Sequence, residues 1–124
     1  MTLILDADPE PKETEPFQLR FKDGKERIMV LRELDTPSYV KFQSFVTADA
    51  TVNTSDGSIK GPIGVAAVNA MLVQLCLKEV DGRERRPVTK SFVESIHPQM
   101  VERLAKMAVG VNPILGGEKD QAKN

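Results

Sequence analysis

The stretch PIGVAAVNAMLVQLCLKEV, Pro62 to Val80, decides how this chain must be built. It opens on a proline, which suits a first helical turn, and stops at Asp81-Gly82, so the pattern predicts one helix across the whole run. Ile63, Val65, Ala66, Ala67, Val68, Ala70, Met71, Leu72, Val73, Leu75, Cys76 and Leu77 leave that helix almost no polar face. A helix that is apolar all round must be covered on most sides, and a chain of 124 residues has little other structure to cover it with. Two readings follow: a central core helix wrapped by its neighbours, or a helix whose surface is in part kept for a partner.

Upstream, DADPEPKETEP (Asp6 to Pro16) holds three prolines, five acids and one lysine, and predicts a flexible acidic leader over residues 1–16. Phe17, Leu19 and Phe21 alternate with polar residues. After Asp23-Gly24 comes a second extended run, Arg27 to Leu31. Two apolar runs around Asp-Gly predict a β-hairpin. A lone hairpin is marginal in water, so it must pack on helices or on another chain. Thr36 then reads as a helix cap and Pro37 as the first helical position, with Val40, Phe42, Phe45 and Val46 inward over about Pro37 to Ala48. Asp49 to Gly61 is turn chemistry and predicts a loop.

Downstream, Asp81 to Arg86 (DGRERR) reads as a solvated turn. Thr89 caps a short helix, Lys90 to Ile96, with Phe92, Val93 and Ile96 inward. His97 reads as a helix-capping or linker residue ahead of Pro98. Met100, Val101, Leu104, Met107, Ala108 and Val111 then recur at the helical period over Gln99 to Val111, with Glu102 and Lys106 one turn apart on the outer face. Asn112-Pro113 ends that helix and residues 114–124 read as a loose tail. The fold class expected is α+β: an N-terminal β-hairpin packed on a small bundle of about four helices, as a single domain over residues 17–113.

Composition narrows the function. Formal net charge is −1, from 17 basic and 18 acidic residues. Phosphate neutralisation dominates duplex binding and demands a basic excess, so no nucleic acid partner is expected. One cysteine, Cys76, fits a reducing compartment, and one histidine, His97, leaves a His/Cys metal site short of its ~4 ligands. Leu3, Ile4 and Leu5 lack the basic flank of a signal peptide, and the longest apolar stretch falls short of the ~20 residues a membrane span needs. The reading is a cytoplasmic protein with no membrane partner. Ser91, His97 and Asp81 have no triad logic in their spacing, and a cysteine inside the most apolar helix behaves as a small hydrophobe. No enzyme, cofactor or metal is expected.

Hydrophobic surface remains. Met71, Leu72, Leu75 and Cys76 on one helix and Met100, Leu104 and Met107 on another are the candidate partner-binding residues. Methionine is flexible and suits surfaces that accept varied apolar partners, although the same residues also make ordinary core filler.

The order of pieces resembles the tail assembly chaperones of tailed bacteriophages. A strand ends in an LREL stretch, Leu31 to Leu34, ahead of the first helix. A helix carries an LC…DG pattern, here Leu75, Cys76, Asp81 and Gly82. A short helix follows with Thr89, Val93, Ile96 and Pro98. The resemblance covers about Phe17 to Pro113 and rests on residue types. It implies a protein that binds the helical, apolar tape-measure protein in the bacterial host cytoplasm and keeps it soluble until the tail tube forms, with no catalytic residues. The partner implied is the tape-measure protein or another phage tail protein, with a homo-oligomer as a further way to cover apolar surface. The competing readings are a structural virion component retained in the particle (a tail, baseplate or connector subunit) and a small-ligand or enzyme-regulatory module.

Overall fold

A computed structural model describes residues 2–49 and 64–115. Of the expected loop, Asp49 to Gly61, residues 50–61 lie outside them, and of the expected tail, 114–124, all beyond residue 115 does. The elements run β1 (Phe17–Arg20), β2 (Glu26–Leu31), α1 (Thr36–Asp49), α2 (Val65–Cys76), β3 (Leu77–Asp81), β4 (Glu84–Pro87), α3 (Lys90–Glu94) and α4 (Pro98–Gly110).

The first hairpin forms where Asp23-Gly24 places it. Gly24 sits at φ 84°, a region a side chain disfavours. Asp23 Oδ1 accepts the Lys25 N–H at 2.9 Å, and the Phe21 N–H donates to the Lys25 carbonyl at 2.9 Å. Phe17 then faces Met29 and Leu19 faces Arg27 across the pair.

The run from Pro62 to Val80 is not one helix. α2 stops at Cys76, and Leu77 turns to extended backbone (φ −74°, ψ 128°) and begins β3 with no intervening loop. A fully covered helix and a fully covered strand both read as unbroken apolar sequence, so hydropathy does not mark where one becomes the other. Asp81-Gly82 is therefore a second hairpin turn, with Gly82 at φ 62°. DGRERR, expected as a solvated turn, supplies that turn and strand β4. Its charged residues tolerate the sheet because they are paired: Arg86 reaches Asp81, and Arg85 reaches Glu13 at 2.9 Å.

The two hairpins join through β2 and β3, with Met29 opposite Glu79 and Leu31 opposite Leu77, giving one antiparallel sheet in the order β1-β2-β3-β4. The protein is thus α+β, but the lone hairpin of the sequence reading is half of a four-stranded sheet. The second hairpin is what relieves the first of its marginality. Leu19, Met29, Leu31 and Leu77 from the sheet share a core with Leu72, Val73 and Cys76 of α2 and Leu104, Ala105 and Ala108 of α4.

Helix ends follow local chemistry. Asp35, not the expected Thr36, caps α1, its Oδ1 accepting the Ser38 N–H at 2.9 Å; hydrogen bonding from the Ser38 side chain first, and from this N–H second, holds the carboxyl below its usual pKa. Thr89 Oγ1 accepts the Phe92 N–H at 3.1 Å, and His97 Nδ1 accepts the Gln99 N–H at 3.1 Å ahead of Pro98. α3 is shorter than expected, yet Val93 and Ile96 both point inward. Phe92 meets Phe21 edge-on at 5.3 Å. Glu102 and Lys106 pair at 3.5 Å on the exposed face of α4.

The acidic leader is tied down at its base. The Thr14 N–H donates to the Leu31 carbonyl at 2.9 Å, the Glu33 N–H donates to the Lys12 carbonyl at 2.7 Å, and Glu13 pairs with Arg32 across an antiparallel bridge. Residues 12–14 thus extend the line of β1, after a break in the pairing at Glu15-Pro16.

Candidate protein-binding surface

Why α2 is covered unevenly follows from where its neighbours end. β3 continues from its C-terminal end, α4 packs along it, and Leu72, Val73 and Cys76 are buried in the shared core. Among the described residues, the N-terminal half has less over it. Val65 is 75% exposed, Ala66 and Ala67 are exposed, and Val68 and Ala70 are half-buried.

Beside this half lies an open groove of about 420 Å³. One wall is Val65, Ala66 and Ala70 of α2. The floor is Val93 and Ile96, and the far wall is Pro98 and Val101 of α4, with Asn69, Gln99, Glu94 and Glu102 as polar neighbours. A smaller depression of about 320 Å³ lies on the other flank, between Phe45 of α1, Ala67, Met71 and Gln74 of α2, and Lys90 of α3. Ala70, Val93 and Glu94 border both, so a continuous strip of small and branched apolar side chains crosses α2.

The seven candidate residues divide by burial. Leu72, Cys76 and Leu104 are 3%, 0% and 1% exposed and belong to the core, closed to any partner that leaves the fold intact. Met71, Leu75, Met100 and Met107 are half-buried against that core. Met71 alone of the seven lines either of the two depressions. The residues that line the larger groove, Val65, Ala66, Val93, Ile96 and Val101, were in the sequence as helix and core positions. Nothing in an all-apolar helix says which side its neighbours leave open.

Several polar side chains are engaged in contacts within the fold. Burial pushes the Cys76 thiol up to about 11, outweighing the hydrogen bond from Asn112. His97 is engaged as a helix cap. Asn112, read in the sequence only as a helix terminator, is fully buried: its Oδ1 accepts the Leu34 N–H at 2.8 Å, and its Nδ2 donates to the Ala108 carbonyl at 2.7 Å and faces Cys76 Sγ at 3.5 Å. Glu13, 72 residues from Arg85 in the chain, meets it with two hydrogen bonds, at 2.9 and 3.1 Å. Those bonds hold the Glu13 carboxyl below its ordinary pKa, with smaller help from the charges of Arg85 and Arg32.

Among the described residues no three His, Cys, Asp or Glu side chains converge as metal ligands, and no helix is long and apolar enough to cross a membrane. Comparison with family models, with curated proteins and with solved structures gives no match to this chain.

Proposed function

We propose that this protein is a phage tail assembly chaperone, acting in the cytoplasm of the bacterial host, that binds the tape-measure protein through apolar helical surface and keeps it soluble while the tail assembles. The observation that carries this reading is the exposed N-terminal half of α2, with Val65 three-quarters in water beside a groove floored by Val93 and Ile96. The order of segments from Phe17 to Pro113, with its resemblance to tail assembly chaperones, supports it from the sequence side.

The mechanism is helix-in-groove recognition. An amphipathic client helix lays its apolar face against Val65, Ala66 and Ala70, and its next turn against Val93 and Val101. Binding the unassembled client lowers its free concentration. At a free chaperone level of 100 times Kd, the bound form gains about 2.7 kcal/mol over the free one. No nucleotide chemistry is required for that.

Co-expression with the tape-measure protein tests the proposal. The client should move into the soluble fraction and co-purify with the wild-type chain, and should do neither with a Val65→Asp variant. A client equally insoluble with and without the chain defeats the reading. Mass spectrometry of purified particles separates it from a structural virion component: a chaperone is scarce there, a tail or connector subunit stoichiometric.

A further inference from the structure

We propose that residues 2–6 form an exchange arm that adds a strand to the outer edge of β1, which no described residue pairs, in a second copy of this chain. Leu3, Ile4 and Leu5 are 80%, 87% and 80% exposed, a run of three large apolar side chains with no cover from their own copy. Their alternation suits a strand, with Leu3 and Leu5 on one side and Ile4 on the other. The segment is delimited where Asp6 Oδ1 accepts the Asp8 N–H, and Pro9 and Pro11 then stiffen the path back to the anchor at residues 12–14. That path runs along a cleft shared with Thr36, Pro37 and Ser38 at the start of α1. It leads away from the arm's own β1.

The acceptor is fixed by backbone geometry. Because the Phe21 N–H bonds to Lys25, the alternation of an antiparallel ladder turns Leu19 and Phe17 toward β2, and turns the N–H and C=O of Gln18 and Arg20 outward. The opposite edge is poorer: β4 ends in Pro87, which has no N–H, and its Arg85 side chain is held by Glu13. An arm on β1 sets Leu3 and Leu5 beside the apolar side of Phe17 and Leu19, and Ile4 on the side of Ile28, itself 47% exposed. Charge agrees. Residues 2–16 carry five acids and one base, whereas the hairpin from Phe17 to Leu31 carries Arg20, Lys22, Lys25 and Arg27 against Asp23 and Glu26. Two copies exchanging arms make a closed, two-fold pair.

Sedimentation velocity over a concentration series tests this on the full chain, with circular dichroism confirming that each variant is folded. Wild type should self-associate. A triple variant, Leu3→Ser with Ile4→Ser and Leu5→Ser, should weaken association at least about tenfold. Gln18→Pro, which removes an outward N–H and leaves the pairing with β2 intact, should do the same. Mixing the two variants should restore a heterodimer, since one keeps the edge and the other the arm. A monomeric wild type overturns the proposal. So does a triple variant that associates as well as wild type, or a mixture in which no heterodimer forms.

Discussion

Asn112→Ala should cost more stability than any other single polar truncation in the described part of this protein. The side chain is fully buried and makes two short hydrogen bonds, to the Leu34 N–H at 2.8 Å and the Ala108 carbonyl at 2.7 Å. Alanine leaves the Leu34 N–H without an acceptor, a penalty of about 1–3 kcal/mol for a group out of water. The Ala108 carbonyl keeps one partner, the Val111 N–H at 3.2 Å, so its loss is the smaller net value of one hydrogen bond, about 1 kcal/mol. Together these give about 2–4 kcal/mol, a large share of the ~5–15 kcal/mol that holds a domain folded. The thermal midpoint should fall by roughly 8–15 °C. Urea titration followed by circular dichroism at the helix band measures it, since the chain has no tryptophan. Asn112→Asp is the control: it keeps the acceptor for Leu34 but turns a donor into an acceptor facing the Ala108 carbonyl, and should be no better than alanine at neutral pH. A loss below about 0.5 kcal/mol for Asn112→Ala, within the range of ordinary surface changes, would refute the view that this residue pins the end of α4 to the β2–α1 connection.

Three further outcomes follow. Leu72→Asp, which buries a charge in the core, should unfold the protein by several kcal/mol, whereas Val65→Asp should stay within about 0.5 kcal/mol of wild type while losing client binding; urea melts and co-purification read the two effects apart. The Glu13 carboxyl is held below its ordinary pKa of 4.5 by Arg85, so its contribution is complete above that value and disappears as pH falls through the depressed one; the stability gap between wild type and Glu13→Gln should be open at pH 7 and shrink steadily as pH is lowered below 4.5. Cys76, buried with its thiol pushed up to about 11, should ignore a thiol-disulfide reagent at pH 8 in the native protein and react fully once urea unfolds it.

Much of the architecture could be read from residues whose chemistry is local. Asp23-Gly24 fixes a turn by backbone conformation, Thr89 and His97-Pro98 mark helix starts by unsatisfied N–H groups, and α4 declares its inner face because Val101, Leu104 and Ala108 recur against charged neighbours. The second hairpin escaped for the opposite reason. Leu77 to Val80 continues an apolar run whose covering is set by β2, some fifty positions earlier, and β4 is too charged to look like a strand until Glu13 is brought to Arg85. The same limit applied to the candidate surface. In α2 every side is apolar, so the sequence left both a wrapped core helix and one partly kept for a partner standing, and did not mark which side its neighbours leave open. The open part proved to be the N-terminal half around Val65, not the Leu72–Cys76 end. Asn112 carried no signal, because an asparagine ahead of a proline closes helices in water as readily as in a core.

The seam between Cys76 and Leu77 has a mechanical meaning. A helix that passes into an interior strand without a joint cannot swivel by itself; tilting α2 must drag β3 and, through it, both hairpins. Force applied to α2 is therefore passed directly into β3 and, through its pairing with β2 and β4, into the rest of the sheet. In a protein gripped at one end of α2, the sheet would register the load.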